Sequence, residues 1–204
     1  MADFTSDVSR VQLEAWRERH NSAHSQIETN LLEQLTDDAL RTSPFPNMAS
    51  IAWHIWHIAR CEDMAISTLI ANRPQMLDEE DWFERLNVGR RDIGTAMTDE
   101  EVADFNIQIN TTALRDYFRA VMGRTDDVVV QLPGEDWTQV IDDTIVDGAL
   151  RDHVLDVEAR QWVGSFWKGT TKTWILWWLA VGHHYLHYGE ALVTRDILAR
   201  RGTQ

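Results

Sequence analysis

The sequence predicts an all-α protein: a four-helix bundle with a long crossover between its second and third helices and a small irregular insertion before the last. Three observations predict it. Apolar residues recur at helical spacing through four long segments, helix-start and helix-stop residues bracket those segments, and a long polar stretch parts the second from the third. At 204 residues the chain is long enough to bury one core, and residues 1–204 read as one domain.

The first helix is expected from about Ser9 to Leu35, with Leu13, Trp16, Ala23, Ile27, Leu31 and Leu35 on one stripe and Ser9 with Gln12 as a capping box. Pro44 and Pro46 then break the chain, because each lacks an amide hydrogen and restrains the residue before it. The second helix runs from about Met48 to Ala71 and turns Trp53, His54, His57, Cys61, Met64 and Ala65 inward. Gln75 to Met97 is too long for a bundle turn and reads as the crossover. Thr98 with Glu101 forms a capping box, and the third helix continues to Met122, burying Ile107, Leu114, Phe118 and Val121 before Gly123 closes it. Within the insertion, residues 126–168, Val128 to Leu132 looks like a strand that pairs with Thr138 to Val146, followed by a short helix from Ala149 to Phe166. The last helix starts at Thr170 or Thr171 and reaches Arg200, with Gly202 just beyond.

Composition excludes several function classes. A formal charge of −14 would repel nucleic-acid phosphates and an anionic membrane surface alike. The longest apolar run, Trp174 to Val181, has 8 residues against the ~20 a bilayer span needs. The start of the chain lacks the basic-then-apolar pattern of a signal peptide, and the single cysteine, Cys61, fits a reducing compartment. A cytoplasmic location is therefore expected. The compositional outlier is tryptophan: 10 residues, several crowded near histidines, where they pack the core or line a pocket for a small-molecule substrate.

Histidine spacing carries the chemistry. His183 and His187 stand four residues apart, and four residues of α-helix turn ~400°, so the imidazoles stack on one face about 6 Å apart. Such a pair grips one ion, as in helical H-E-x-x-H sites, though the residues between differ here and no metalloprotease reading follows. A third ligand has to come across the bundle, and His57 on the second helix is the candidate, with His54 one turn earlier lining the pocket or holding a ligand in place. Three neutral imidazoles with an open position make a catalytic zinc site, and the same set suits nickel, with iron or manganese as alternatives.

The remaining candidates are weighed around that trio. Glu190, three residues after His187, can orient its imidazole or act as general base. His20 and His24 share the four-residue spacing on the first helix; they either pack in the core or face the cavity, where His20 would carry protons. His184 points about 100° away from His183 and is not a ligand. Glu62, five after His57, points elsewhere. Cys61 is a soft ligand or a nucleophile or, more simply, a small core residue, and His153 is a surface residue of the insertion.

The stretches Ser50 to Glu62 and His183 to Glu190 resemble the DinB/YfiT-like family of metal-binding four-helix bundles. That family carries a second-helix histidine followed five residues later by Glu, matched by His57 and Glu62. Its last helix carries H-x3-H running into an x-Gly-Gln-like ending, matched by His183, His187, Gly189 and Glu190, with Glu in place of Gln. The resemblance implies a three-histidine site holding nickel or zinc, and homodimers. It also implies relatives that are thiol-dependent transferases or isomerases using a low-molecular-weight thiol such as bacillithiol or mycothiol. Together these readings lead to the expectation of a metal-dependent enzyme that activates a thiol or water for attack on a small electrophile. A stress-response or ligand-binding bundle with a structural ion is the alternative.

Overall fold

The computed structural model describes residues 4–151 and 157–202, the side chains of 4–9, 157, 158 and 161 excepted. His153 therefore lies outside the described residues. Within them the chain is all-α, and its only β feature is an isolated antiparallel bridge between Val140 and Thr171. Helix α1 (Phe4–Ile27) widens into a π-helical turn over Glu28–Leu32, and α2 (Asp37–Arg41) is a short turn capped by Thr36. Helix α3 (Ile51–Asp63) starts at Ser50, whose hydroxyl accepts from the Trp53 amide at 3.1 Å, and passes into π turns over Met64–Ile70. A 3₁₀ turn at Met76–Asp78 and α4 (Trp82–Leu86) punctuate the crossover. Then come α5 (Asp99–Gln108), α6 (Thr111–Gln131), a 3₁₀ turn at Gly134–Thr138, α7 (Asp143–Arg151) and α8 (Val157–Trp167). Helix α9 (Lys172–Trp177) runs through a π turn at Trp178–Gly182 into α10 (His183–Arg201).

Three expectations need correction. Ser9 does not cap the first helix, which begins at Phe4. The third segment is two helices: the Thr98–Glu101 capping box starts α5, but Asn110 caps a new start, and Ile107 is 80% exposed. Val128 to Leu132 is no strand. It prolongs α6 through Gly123 because Val121, Thr125 and Val129 are buried at four-residue spacing, so tertiary burial overrides the β preference of a valine run. The segment proposed as its partner forms the 3₁₀ turn and α7, and Val140 bridges to Thr171 instead.

Helix α3 is the axis of the molecule. It packs against α6 on one side and α10 on another, and α1 lies against α10 and the π turn before it. Every residue of α3 except Trp53 is buried, including Arg60, Glu62 and Asp63. The core falls into two apolar clusters, and on α1, α3 and α9–α10 alike the polar residues fall between them: Trp16 and Ile27 flank His20 and His24, Ala59 and Met64 flank Glu62, and Val181 and Tyr188 flank His183 and His184. A polar layer thus crosses the apolar core on three helices at one level.

The crossover is tied to α3 by charge. Arg60 donates to Asp63 at 3.1 Å, to the Tyr117 hydroxyl at 3.0 Å, and to Gln75 and the Arg91 carbonyl at 2.7 Å each. Asp63 in turn accepts from the amides of Met76 and Leu77 and from Tyr117. Gly94, at φ +81°, completes the loop; a Cβ there would collide with the Trp56 ring.

Candidate metal centre

The structure brings His57, His183 and His187 together, one ring nitrogen from each lying within 4.8 Å of the others. His183 and His187 face each other with their Nε2 atoms 3.0 Å apart, and ring centroids are 4.9 Å (His57 to His183) and 4.7 Å (His57 to His187). The second nitrogens decide which ones are free. His57 Nδ1 donates to the Ile93 carbonyl, in the loop that Arg60 holds through Arg91. His187 Nδ1 donates to Glu190 Oε2 at 2.6 Å. Both contacts leave Nε2 with its lone pair toward the common point, the arrangement in which an outer acceptor fixes a ligand's tautomer. His183 Nδ1 is buried without a partner.

Electrostatics keep these rings neutral. Burial, with His187 repelling, holds His57 down at about 3, and burial holds His183 well below the ordinary histidine value. Burial also lowers His187, against the pull of Glu190. Neutral imidazole is the form that coordinates a cation, so the nitrogens meet the donor chemistry of a divalent transition metal.

These histidines stand at the floor of a cavity of about 730 Å³. Trp53, Trp162, Phe166, Trp167, Trp174 and Trp178 supply its aromatic wall, and Trp53 stacks on His57 with centroids 4.7 Å apart. Cys61 lines the floor too, its Sγ 3.8 Å from the His57 ring nitrogens, but burial pushes its thiol far up, so it stays protonated and acts as apolar packing.

The residues expected to handle protons are placed otherwise. Glu190 and His54 sit behind His187, with His54 Nδ1 3.5 Å from Glu190 Oε2, and neither lines the cavity. His20 does not face the cavity at all. It lies in the polar layer with its Nε2 2.7 Å from Glu62 Oε1, while His24 Nε2 and His184 Nε2 lie 2.8 and 2.7 Å from Oε2. Burial works against the Glu62 charge, but the three imidazoles outweigh it and hold the carboxyl well below its usual range; burial lowers His24 to about 4.

Sequence reasoning missed this cluster, although a signal was present: Glu62 belongs to a short charged group, Arg60, Glu62 and Asp63, set between the largely apolar stretches 51–59 and Met64–Ile70 of one buried helix. His20, His24 and Glu62 also have the donor set for a cation. Their second nitrogens argue against one. Nδ1 of His20, His24 and His184 is buried without a partner. A metal on Nε2 would put an orphaned N–H at each Nδ1, at about 1–3 kcal/mol apiece. Hydrogen bonding to the carboxylate puts the proton on Nε2 and leaves only lone pairs unpaired.

Comparison with known proteins completes the picture. No curated protein matches the chain. The crystal structure of a conserved protein from Enterococcus faecalis superposes with a TM-score of 0.60 at 23% identity, over 94% of this chain and 95% of that one, a likeness of fold alone. The family model of the DinB superfamily matches residues 22–191, which hold all of the histidines described above except His20. With most of its length matched, the chain belongs to the DinB superfamily.

Proposed function

We propose that this protein is a metal-dependent enzyme of the hydrolase or thiol S-transferase kind, with His57, His183 and His187 holding one divalent cation at the cavity floor. The observation that carries this reading is the convergence of three neutral imidazoles, two buried and one half-buried, with His57 oriented by the Ile93 carbonyl and His187 by Glu190. When bound, such an ion lowers the pKa of a water or thiol at its open position toward neutrality. An all-nitrogen donor set favours zinc or nickel, then iron, over manganese.

The chain's own residues supply orientation and shielding. Ile93 and Glu190 each hold an Nδ1 proton and so fix which nitrogen faces the ion. Glu190 is half exposed and carries His54 beside it, which makes both positioning residues. The aromatic wall keeps bulk water from the floor and strengthens the electrostatics there. We read α1, α3, α6 and α9–α10 as the four rods of a bundle, and we place the protein in the cytoplasm as a homodimer, in line with the family resemblance and the lone buried cysteine. No helix among the described residues is long and apolar enough to cross a membrane.

Elemental analysis of untagged protein tests the site. His183→Ala and His57→Ala should each abolish stoichiometric metal; full retention in both refutes it. A second reading, a ligand-binding bundle with a structural ion, is favoured by one observation: among the described residues Asp99 is the only carboxylate on the cavity wall, so a general base is scarce there. Chelation separates the two. A large loss of melting temperature favours the structural ion, whereas a preserved fold with lost turnover of a thiol or ester substrate favours the enzyme.

A further inference from the structure

We infer that the cavity above His57, His183 and His187 takes a hydrophobic ligand with a cationic or uncharged body and turns anionic ones away; this rests on the cavity being the working site. The volume, about 730 Å³, is that of a drug-sized molecule. Its wall is aromatic, and it opens to solvent through rings left unusually bare: Trp162 is 53% exposed, Phe166 58%, Trp174 38% and Trp178 42%. Bare aromatics grouped around a cavity mouth mark a surface that a ligand covers.

Charge decides which ligand. Among the described residues the lining contains no lysine or arginine, and its only charged side chain is Asp99, at the start of α5. Residues 1–9, 152–158, 161 and 203–204, outside the described side chains, contain no lysine or arginine. Nor does the α5 N-terminus offer an anion site, because Asp99, Glu100 and Glu101 already fill its first turn. The chain as a whole carries −14. An anionic tail would meet a negative field with no partner, while an ammonium would meet Asp99 and the faces of tryptophans, the best rings for holding a cation. An ion held by His57, His183 and His187 would take a donor atom of the ligand at that end of the cavity and leave the body of the ligand to the aromatic wall. Multiply anionic thiols are therefore poor occupants of this cavity.

Three probes of one shape test this: a phenylalkyl trimethylammonium, its neutral tert-butyl isostere, and the matching phenylalkyl sulfonate. Each is titrated by tryptophan fluorescence into metal-loaded and into chelated protein. The ammonium should bind at least about tenfold more tightly than the sulfonate, with the neutral probe between them. Trp178→Ala should weaken all three, and Asp99→Asn should narrow the ammonium–sulfonate gap. Equal or tighter sulfonate binding overturns the inference, as does saturable binding of none of the probes, which is the result if a second copy of the chain covers the rim. A gap unchanged in Asp99→Asn would trace discrimination to overall charge and overturn the local claim. If the charge order holds in protein that never binds metal, the enzymatic reading fails while this one stands; if metal binds and the order is reversed, the converse holds.

Discussion

His184 Nε2 lies 2.7 Å from Glu62 Oε2, joining two residues 122 positions apart in a place that water does not reach. The same carboxylate takes His20 and His24 from α1, so one side chain of α3 ties α1 and α10 to it. Those are the helices whose neighbouring residues, His57, His183 and His187, have to converge. Removing the carboxylate should therefore hurt both stability and the metal centre. Glu62→Ala is expected to cost about 3–5 kcal/mol, since it strands three buried imidazoles, and Glu62→Gln less. Chemical denaturation measures this, and a change below about 1 kcal/mol in Glu62→Ala would show that the cluster is not a clamp.

Metal stoichiometry should be one per chain and not two. The inner cluster lacks acceptors for the protons that coordination would place on Nδ1, whereas the outer trio has two of three. Titration of the chelated protein with zinc should saturate at one tight equivalent, and His20→Ala should retain it. A second tight equivalent that disappears in His20→Ala would contradict the tautomer argument.

Arg60 reaches the candidate metal centre at one remove. It grips the Arg91 carbonyl, and two residues later the Ile93 carbonyl receives the His57 proton. Arg60→Met leaves Asp63 buried without its guanidinium and should cost about 3–5 kcal/mol. Where the variant still folds, metal affinity should fall roughly 10–100-fold through the loosened loop. Competition against a chromophoric chelator reads that loss, and unchanged affinity would detach the loop from the site.

Acid should destabilise the metal-free protein well above the carboxylate range. The folded values of His24 and His54, about 4, and of His57, about 3, all lie below the unfolded value of 6.5. Unfolding therefore takes up protons as pH drops below 6.5, so the stability these groups contribute is complete above 6.5 and is lost progressively down to 4 and 3. By pH 5 the loss is about 2 kcal/mol for each such group. Melting temperature of the chelated protein should fall between pH 7.5 and 5; a flat profile would mean that these rings titrate normally.

Much of the site was legible because helical spacing is rigid. Two histidines four apart must share a face, and an apolar stripe shows which face is inside, so His57, His183 and His187 could be brought together on paper. Glu62 and His184 were not legible for the same reason turned around. His184 points about 100° from His183 and Glu62 about 140° from His57, and only the packing of α1 against α10 tells that this other face is interior too. The insertion failed because a run of valines carries a β preference that burial of Val129 overrides. The break at Asn110 escaped because Ile107, apolar and in register, is nonetheless exposed.

The widened turn at Trp178–Gly182 has a consequence for how this sequence can change. The amide of His183 reaches back five residues to Trp178, and Gly182 fits because a Cβ there would touch the Trp178 ring at 3.0 Å. That turn holds one residue more than an α-helix needs, so losing one of its residues would turn it into plain α-helix and leave His183 and His187 facing His57 as they do now. A residue lost between His183 and His187 meets no such surplus: it would draw His187 a step round the helix and bring Tyr188 into its place. The register of the trio is thus buffered upstream of His183 and unprotected within it.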